Sequence, residues 1–122
     1  MPTPRTRLGN RGEELARRFL QELGYLVLDT NFRCPWGEID IVAQDRDEVV
    51  FVEVRTRRSA RYGTAEESLT ASKARRLVAS AQEYLQRRGD ATAGWRIDLV
   101  GVWLGADRAG GRVRHLKYAV EQ

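Results

Sequence analysis

The sequence contains one cysteine, one histidine, one methionine and only three prolines among its 122 residues. A lone cysteine, Cys34, cannot form a disulfide within the chain, and it excludes a metal centre built from several thiolates. The sequence also lacks an apolar run long enough to cross a membrane, and its first residues lack the apolar core of a secretory signal. We therefore expect a cytoplasmic protein with no membrane-spanning segment.

Charge and length narrow the class further. Lysine and arginine number 21 against 17 acidic residues, and the formal charge of +4 comes from arginine. This excess favours an anionic partner such as nucleic acid. The length suits one core, so we predict a single domain over residues 1–122. Residues 1–8 are expected to form a mobile N-terminal arm, either a plain tail or a contact for phosphate.

Two runs of strand-forming residues dominate the middle of the chain. Residues 38–43 alternate polar and apolar side chains, and residues 49–55 are rich in β-branched and aromatic ones. The charged stretch 45–48 between them is typical of a turn. The pattern predicts an antiparallel hairpin.

The register of this hairpin places acids together. With residues 45–48 as a four-residue loop, Asp40 lies opposite Glu53 and Glu38 opposite Arg55, all on one face of the sheet. Directly opposed carboxylates about 4.5–5.5 Å apart repel each other, and burial strengthens the repulsion. Either one carboxyl holds a proton or a cation lies between them. Carboxylate oxygens with further coordination positions left over suit Mg²⁺ or Mn²⁺.

These motifs resemble those of a known superfamily. Gly-Glu-Ile-Asp, a short hairpin, and Phe-Val-Glu-Val before a basic residue form a pattern similar to the core motif of PD-(D/E)XK nucleases, which archaeal Holliday-junction resolvases share. Over nearly the whole chain, the sequence resembles the YraN family of small bacterial proteins. That resemblance is carried by GNRGEELA, GYLVLDTNFR, GEIDIVA, VVFVEVR, the helix of Lys73 and WRIDLV. It implies a restriction-endonuclease-like fold, nucleic-acid binding and metal-dependent cleavage of DNA.

The resemblance also assigns roles to the hairpin. It implies that Asp40 and Glu53 hold a divalent metal together with the backbone carbonyl of Val54. Glu38 would be an outer metal ligand or a partner of Arg55. Most superfamily members carry lysine in place of Arg55, and that lysine is taken to orient water and stabilise the transition state. Arginine keeps the charge and suits phosphate, but it cannot act as a base because it stays protonated.

A further acid lies on the first predicted helix, which runs from an N-cap at Asn10 to about Leu23. Glu13 falls at the edge of the buried face, whereas Glu14 points away from it. The spacing from Gly9 to Glu13 matches the helix-borne acid of the resolvases, so the resemblance makes Glu13 an accessory catalytic acid. The alternative is a first-turn acid that the helix dipole favours.

Basic residues follow the second hairpin strand. Arg57, Arg58 and Arg61 lie in a predicted loop beside the acids, where they either hold a phosphate backbone or are simply solvated. Lys73 lies in the first turn of a second helix, predicted from its cap at Thr70 to about Arg88. A cation there is unfavourable against the helix dipole, and phosphate binding would explain it.

The remaining segments complete the predicted fold. We expect a strand over 25–28 that continues loosely to 32, a loop over 31–37, a long strand over 95–103 and a last strand over 113–120. Trp36, in the loop, either packs over the hairpin or stacks on a base. Arg96 and Asp98 are predicted to form a structural ion pair, and His115 to lie on the surface. The class is α/β (α+β), with a mixed central β-sheet flanked by helices in the order αβββαββ.

The leading hypothesis is a nucleic-acid-binding protein, with DNA as partner, that acts as an Mg²⁺- or Mn²⁺-dependent endonuclease on branched or otherwise structured substrates. One alternative is a non-catalytic nucleic-acid-binding module that retains the nuclease fold, which Arg55 favours. Another is a basic adaptor that docks an acidic protein. Because resolvases pair to cut two strands, the resemblance also implies a homodimer.

Overall fold

The computed structural model describes residues 4–58, 68–90, 92–105 and 112–120. Seven elements follow in chain order: helix α1 (Pro4–Glu22), strands β1 (Leu26–Cys34), β2 (Gly37–Asp45) and β3 (Glu48–Arg57), helix α2 (Ala71–Arg88), and strands β4 (Gly94–Trp103) and β5 (Arg112–Leu116). The predicted order αβββαββ is confirmed. No helix in these described ranges combines the length and apolarity that a membrane crossing requires.

The strands form one mixed sheet in the order β1-β2-β3-β4-β5. Strands β3 and β4 are parallel, and the other neighbours are antiparallel. A parallel pair requires a crossover connection, which α2 provides. The predicted mixed sheet flanked by helices is therefore confirmed.

Each helix covers a core of its own. On β3, Val50 and Val52 belong to the cluster that includes α1, while Val49 and Phe51 belong to the cluster that includes α2. Successive strand residues point to opposite faces, so the two helices lie on opposite sides of the sheet. This explains why residues 49–52 are apolar without alternation: both faces of the strand are buried.

The central hairpin keeps its predicted register with a shorter turn. Gln44 pairs with Val49, as the sequence predicts, but the ladder continues to a pair between Asp45 and Glu48. The connection is therefore a two-residue turn rather than the predicted four-residue loop over 45–48. Its first residue, Arg46, has a φ of 56°, in the left-handed region that such tight hairpin turns require.

Strand β1 is longer than predicted. It pairs with β2 as far as Cys34 opposite Gly37, so the expected loop over 31–37 shrinks to a turn at Pro35 and Trp36. Edge strands tolerate polar side chains that face solvent, which is why this polar stretch did not resemble a strand. The ladder is irregular between Val27 and Asp29.

Both ends of the described chain differ from prediction. Helix α1 begins at Pro4, not at an Asn10 cap, because proline suits a first helical turn where its missing N–H costs no hydrogen bond. The arm expected over 1–8 is therefore helical backbone from Pro4, and residues 1–3 lie outside the described ranges. The last strand ends at Leu116, earlier than the predicted 120.

A buried arginine network closes the end of the sheet beside the β2–β3 turn. The Nε of Arg96 lies 3.1 Å from Asp98 Oδ1, which is the structural pair predicted from the sequence. The same guanidinium donates to Glu48 at 2.8 Å, to the Tyr25 hydroxyl at 2.8 Å and to Asp45 at 3.1 Å. We call this set, with His115 added below, the Arg96 network.

His115 belongs to this network and not to the surface. Its side chain is only 7% exposed, and its Nε2 lies 2.7 Å from Asp98 Oδ2. The prediction of a surface histidine is wrong because α1 covers this part of strand β5, where Phe19 and Tyr25 meet the imidazole ring edge to face.

Candidate active site

A cavity of about 290 Å³ opens between the hairpin strands and the start of α2. Six residues singled out from the sequence line it: Glu38, Asp40, Glu53, Val54, Arg55 and Lys73. Gly37, Arg76 and Leu77 complete the lining. We call it the acidic cavity. It brings together residues from β2, β3 and α2 that lie up to 40 positions apart in the chain, from Gly37 to Leu77.

Asp40 lies just beyond the point where the regular pairing of β2 with β3 ends. The regular β2–β3 pairing ends at Ile41 opposite Val52, and beyond it the backbone N–H of Val54 donates to Asp40 Oδ2 at 2.7 Å. Burial, and then the nearby Glu53 carboxyl, raise the pKa of Asp40 to about 8, while the Val54 hydrogen bond opposes the shift. Near neutral pH, Asp40 therefore holds a proton.

Glu53, the other acid of this pair, is surrounded by cations. Its side chain is 7% exposed, with Arg55 Nη2 at 2.7 Å and Lys73 Nζ at 3.3 Å from Oε2. The suggested pairing of Arg55 with Glu38 is wrong. Glu38 instead pairs with Arg33 at 3.6 Å across the neighbouring strand, because the β2–β3 ladder stops before it reaches that position.

Lys73 reaches the cavity from the first turn of α2. The side chain of Thr70 caps this helix by accepting from the Lys73 backbone N–H at 3.2 Å, as the sequence predicts. A cation at a helix N-terminus is disfavoured by the helix dipole, and the Glu53 carboxylate offsets that cost. The placement is therefore explained by the acidic cavity.

Glu13 lies next to the acidic cavity and does not line it. With its amide nitrogen turned toward the acids, Asn31 lies 3.2 Å from Glu13 Oε1 and 3.3 Å from Glu38 Oε1. Burial, and then the charge of Glu38, raise the pKa of the Glu13 carboxyl, while the Asn31 hydrogen bond opposes the shift. Sequence reasoning missed this residue. Asn31 lies within β1 and has a φ of 53°.

Gly12 determines how closely the turn of α1 that carries Glu13 approaches strand β3. A methyl group at Gly12 would overlap the side chain of Thr56 on β3. Only glycine therefore lets this turn of α1 approach the end of β3 closely, and the adjacent Glu13 approaches with it.

The predicted basic loop contributes less than expected. Arg57 is the last residue of strand β3 and Arg58 follows it, and neither lines the acidic cavity. Arg58 is exposed, whereas the Nε of Arg57 is buried with no hydrogen-bond partner in the described residues. Arg61 lies outside the described residues.

The donor set fits one kind of metal. Among the described residues, no three His, Cys, Asp or Glu side chains group closely enough to hold a metal ion on their own. Three carboxyl side chains line the acidic cavity: Asp40, Glu53 and Glu38, of which Glu38 is paired with Arg33. Mg²⁺ and Mn²⁺ are commonly bound by one or two carboxylates, with waters and substrate phosphates as the remaining ligands. The residues therefore fit a divalent cation whose site a phosphate completes, and not a closed structural metal site.

The raised pKa of Asp40 predicts how stability depends on pH. Between its ordinary value of 3.8 and about 8, the folded protein holds a proton that the unfolded chain has lost. The free energy of unfolding should therefore fall as pH rises through this range. Asp40→Asn keeps the shape without ionising, so it should flatten this slope and raise the free energy of unfolding by about 1–3 kcal/mol near pH 8.

Urea denaturation at several pH values between these limits measures the slope. The matched control is Asp47→Asn in the exposed β2–β3 turn, which should leave the slope as in the wild type. An Asp40→Asn variant with the full wild-type slope would show that Asp40 ionises normally.

Comparison with known proteins gives a consistent result. Residues 12–102 match the model of "Uncharacterised protein family UPF0102". A UPF0102 protein of Roseiflexus castenholzii is 46% identical over 119 residues, covering 97% of this chain and 96% of the relative. One from Moorella thermoacetica is 48% identical over 104 residues, covering 85% and 87%. The solved structure of Pyrococcus furiosus SfsA in complex with Ca²⁺ matches at 16% identity and a TM-score of 0.40; the match covers 96% of this chain and 65% of that one.

Proposed function

This chain belongs to the uncharacterised protein family UPF0102, the YraN family that its motifs resemble, and from its acidic cavity we propose that it binds nucleic acid and hydrolyses phosphodiester bonds with Mg²⁺ or Mn²⁺. The observation that carries the proposal is the pair of neighbouring carboxyl groups, Asp40 and Glu53, in one cavity with two cationic side chains, Arg55 and Lys73. Perturbed acids and convergent cations in one cavity are typical of catalytic sites.

The two acids provide the metal ligands. Asp40, Glu53 and the backbone carbonyl of Val54 would hold the cation. Bound there, Mg²⁺ or Mn²⁺ would polarise a phosphoryl oxygen and lower the pKa of a water. The hydrogen bond from Val54 N–H holds Asp40 Oδ2 in place at 2.7 Å.

The two cations provide the phosphate contacts. Arg55 Nη2 lies 2.7 Å and Lys73 Nζ 3.3 Å from Glu53 Oε2. Both side chains would donate to the phosphate oxygens of a nucleic acid bound in the cavity. The fork of Arg55 suits two oxygens at once, whereas Lys73 acts as a compact charge.

Lys73 also affects what arginine at position 55 implies for catalytic activity. Arg55 cannot exchange a proton at any relevant pH, which favours a non-catalytic module. Lys73 brings an ammonium group to the same carboxylate from α2, so a lysine is present in the cavity although position 55 holds arginine. This arrangement supports the proposal of hydrolysis over binding alone.

Glu13 would act indirectly, through its neighbours at the rim of the acidic cavity. Asn31 links it to Glu38 at the rim of the acidic cavity, so its charge contributes to the field around Asp40. We assign Glu13 an accessory role that orders the rim, with Arg58 exposed at the end of β3 as a contact for the phosphate backbone.

The proposal is tested by incubating the wild-type protein with duplex, branched, flapped and single-stranded DNA, and with matched RNA, in Mg²⁺ or Mn²⁺. We expect cleavage of nucleic acid that EDTA abolishes. Salt-sensitive binding without cleavage, indifferent to metal, would identify a non-catalytic module. Affinity no greater than that of an unrelated protein of equal charge would identify the protein-binding adaptor.

Lys73→Met is expected to lower the cleavage rate by about 10- to 100-fold, the usual cost of one lost electrostatic contact to a transition state. Nucleic-acid affinity should fall by less, since Arg55 remains. Single-turnover cleavage separates the two effects. Arg75→Met, two residues further along α2 and exposed, removes the same charge outside the cavity. Equal losses in the two variants would show that Lys73 contributes only general charge.

A further inference from the structure

An exposed tryptophan lies at the tip of the β1–β2 hairpin. Trp36 occupies its two-residue turn and is 55% exposed, although it is among the largest apolar side chains of the protein. Exposed apolar surface that is contiguous with a groove and rimmed by polar residues marks a ligand-binding site, whereas a single exposed apolar residue does not. Trp36 borders a groove of about 480 Å³ along the outer side of α2.

The composition of this groove fits an uncharged, flat ligand. Trp36 and Trp95 supply aromatic surface, and Ala79 and Leu85 supply apolar surface; the polar lining is Gln82, Glu83 and Gln86. We call it the Trp36 groove. The Glu83 carboxylate is paired with Arg87 at 2.9 Å, which neutralises its charge. The lining suits a base better than a phosphate.

Two amides lie where base edges would need them. Gln82 and Gln86 are both exposed and are four residues apart on one helix, so they share a face. A primary amide offers a donor and an acceptor, the combination that reads base edges. Aromatic surface with neighbouring amides is the arrangement on which an unpaired base stacks.

The Trp36 groove adjoins the acidic cavity. Gly37, next to Trp36, lines that cavity and lies against α2, since a Cβ there would be 3.6 Å from Ser80 Oγ and 3.9 Å from Arg76 Cβ. Helix α2 lines the cavity with Arg76 and the groove with Gln82. These two positions are about 9 Å apart along the helix axis, a few nucleotide steps.

We propose that the Trp36 groove takes an unpaired nucleobase from the strand whose phosphate lies in the acidic cavity. The substrate would then carry single-stranded nucleotides beside the scissile bond, as in a flap, gap or branch. The inference rests on the proposed function and specifies its substrate class. A base inside a continuous duplex is stacked on its neighbours and cannot enter the groove without being extruded.

Fluorescence anisotropy with two labelled DNA probes tests this proposal in Ca²⁺, which is used to support binding without fast turnover. One probe is a blunt duplex, and the other is the same duplex with a single-stranded flap. Trp36→Ala should weaken flap binding by about 5- to 100-fold, the range for one lost base stack. It should leave the blunt-duplex affinity within about two-fold. Trp36→Phe should retain most of the flap affinity, because phenylalanine still stacks.

Leu23→Ala is the matched control, since Leu23 is 50% exposed in the turn that follows α1 and should affect neither probe. Unchanged flap affinity in Trp36→Ala, or equal losses on both probes, would overturn the inference while leaving the proposed function intact. A variant that binds the flap normally but loses self-association in light scattering would assign the groove to a second copy of the chain, and overturn it as well. A wild-type protein that binds neither probe would overturn both proposals.

Discussion

Glu53→Gln is expected to lower metal-dependent cleavage by about a thousand-fold or more. Glu53 contacts both cations of the acidic cavity, with Arg55 at 2.7 Å and Lys73 at 3.3 Å. Glutamine preserves the volume but removes the charge that holds a divalent cation. Because Arg55 and Lys73 keep their positive charges, nucleic-acid affinity should stay near the wild-type value or rise.

The matched control is Glu14→Gln. Glu14 forms an exposed ion pair with Arg18 on α1, so the variant removes the same charge from the surface and should cleave as the wild type does. Single-turnover rates and anisotropy on one substrate separate cleavage from binding. A Glu53→Gln variant with more than about a tenth of the wild-type rate would mean that the acidic cavity is not the catalytic centre.

Arg96→Met is expected to have the largest effect on stability, a loss of about 3–5 kcal/mol in the free energy of unfolding. Arg96 is 2% exposed and is surrounded by Asp98, Asp45, Glu48 and the Tyr25 hydroxyl. Methionine fills much of the space but leaves Asp98, which is fully buried, without its cation. The expected loss comes mainly from that unpaired charge.

Arg18→Met provides the comparison, because Arg18 also pairs with a carboxylate but its side chain is 64% exposed. Exposed pairs contribute about 0–1 kcal/mol, so this variant should unfold nearly as the wild type does. Urea denaturation of both variants gives the two free energies. A loss below about 1 kcal/mol in Arg96→Met would show that the Arg96 network does not stabilise this end of the sheet.

The central hairpin could be predicted from the sequence because its register depends on local information. Residues 49–52 are apolar and β-branched or aromatic, and the charged stretch after Gln44 is typical of a turn. The shorter turn that forms extends the same strand pairing by one residue pair. The ends of α2 were equally readable, since Thr70 caps its start and Gly89 takes a left-handed φ of 83° at its end. Caps depend on one or two residues, so a single sequence suffices.

Other features depend on distant parts of the chain and could not be predicted. Asn31 was assigned to a loop, yet it lies on β1 between Glu13 and Glu38. His115 resembled a surface residue because nothing in its own strand shows that α1 covers it. In each case the contacting residues lie on another helix or strand, so the composition of the residue's own segment does not predict those contacts.

The acidic cavity itself lies between these two cases. Opposed acids at Asp40 and Glu53 follow from strand register, but the break in the ladder that lets Val54 N–H reach Asp40 does not. The sequence singles out Lys73 because a cation in the first turn of a helix interacts unfavourably with the helix dipole. Only the fold, however, shows that Glu53 is its partner.

The account depends most on whether the acidic cavity binds a divalent cation, and calorimetric titration of Mn²⁺ into the protein, alone and with an uncleavable DNA analogue, measures this directly. We predict saturable binding that DNA strengthens, since phosphate completes the coordination. Asp40→Ala and Glu53→Ala should each abolish it, while Asp47→Ala in the exposed turn should not. No binding in the wild type even with DNA, or binding that survives both cavity substitutions, would contradict the assignment of the acidic cavity as a metal-dependent hydrolytic site.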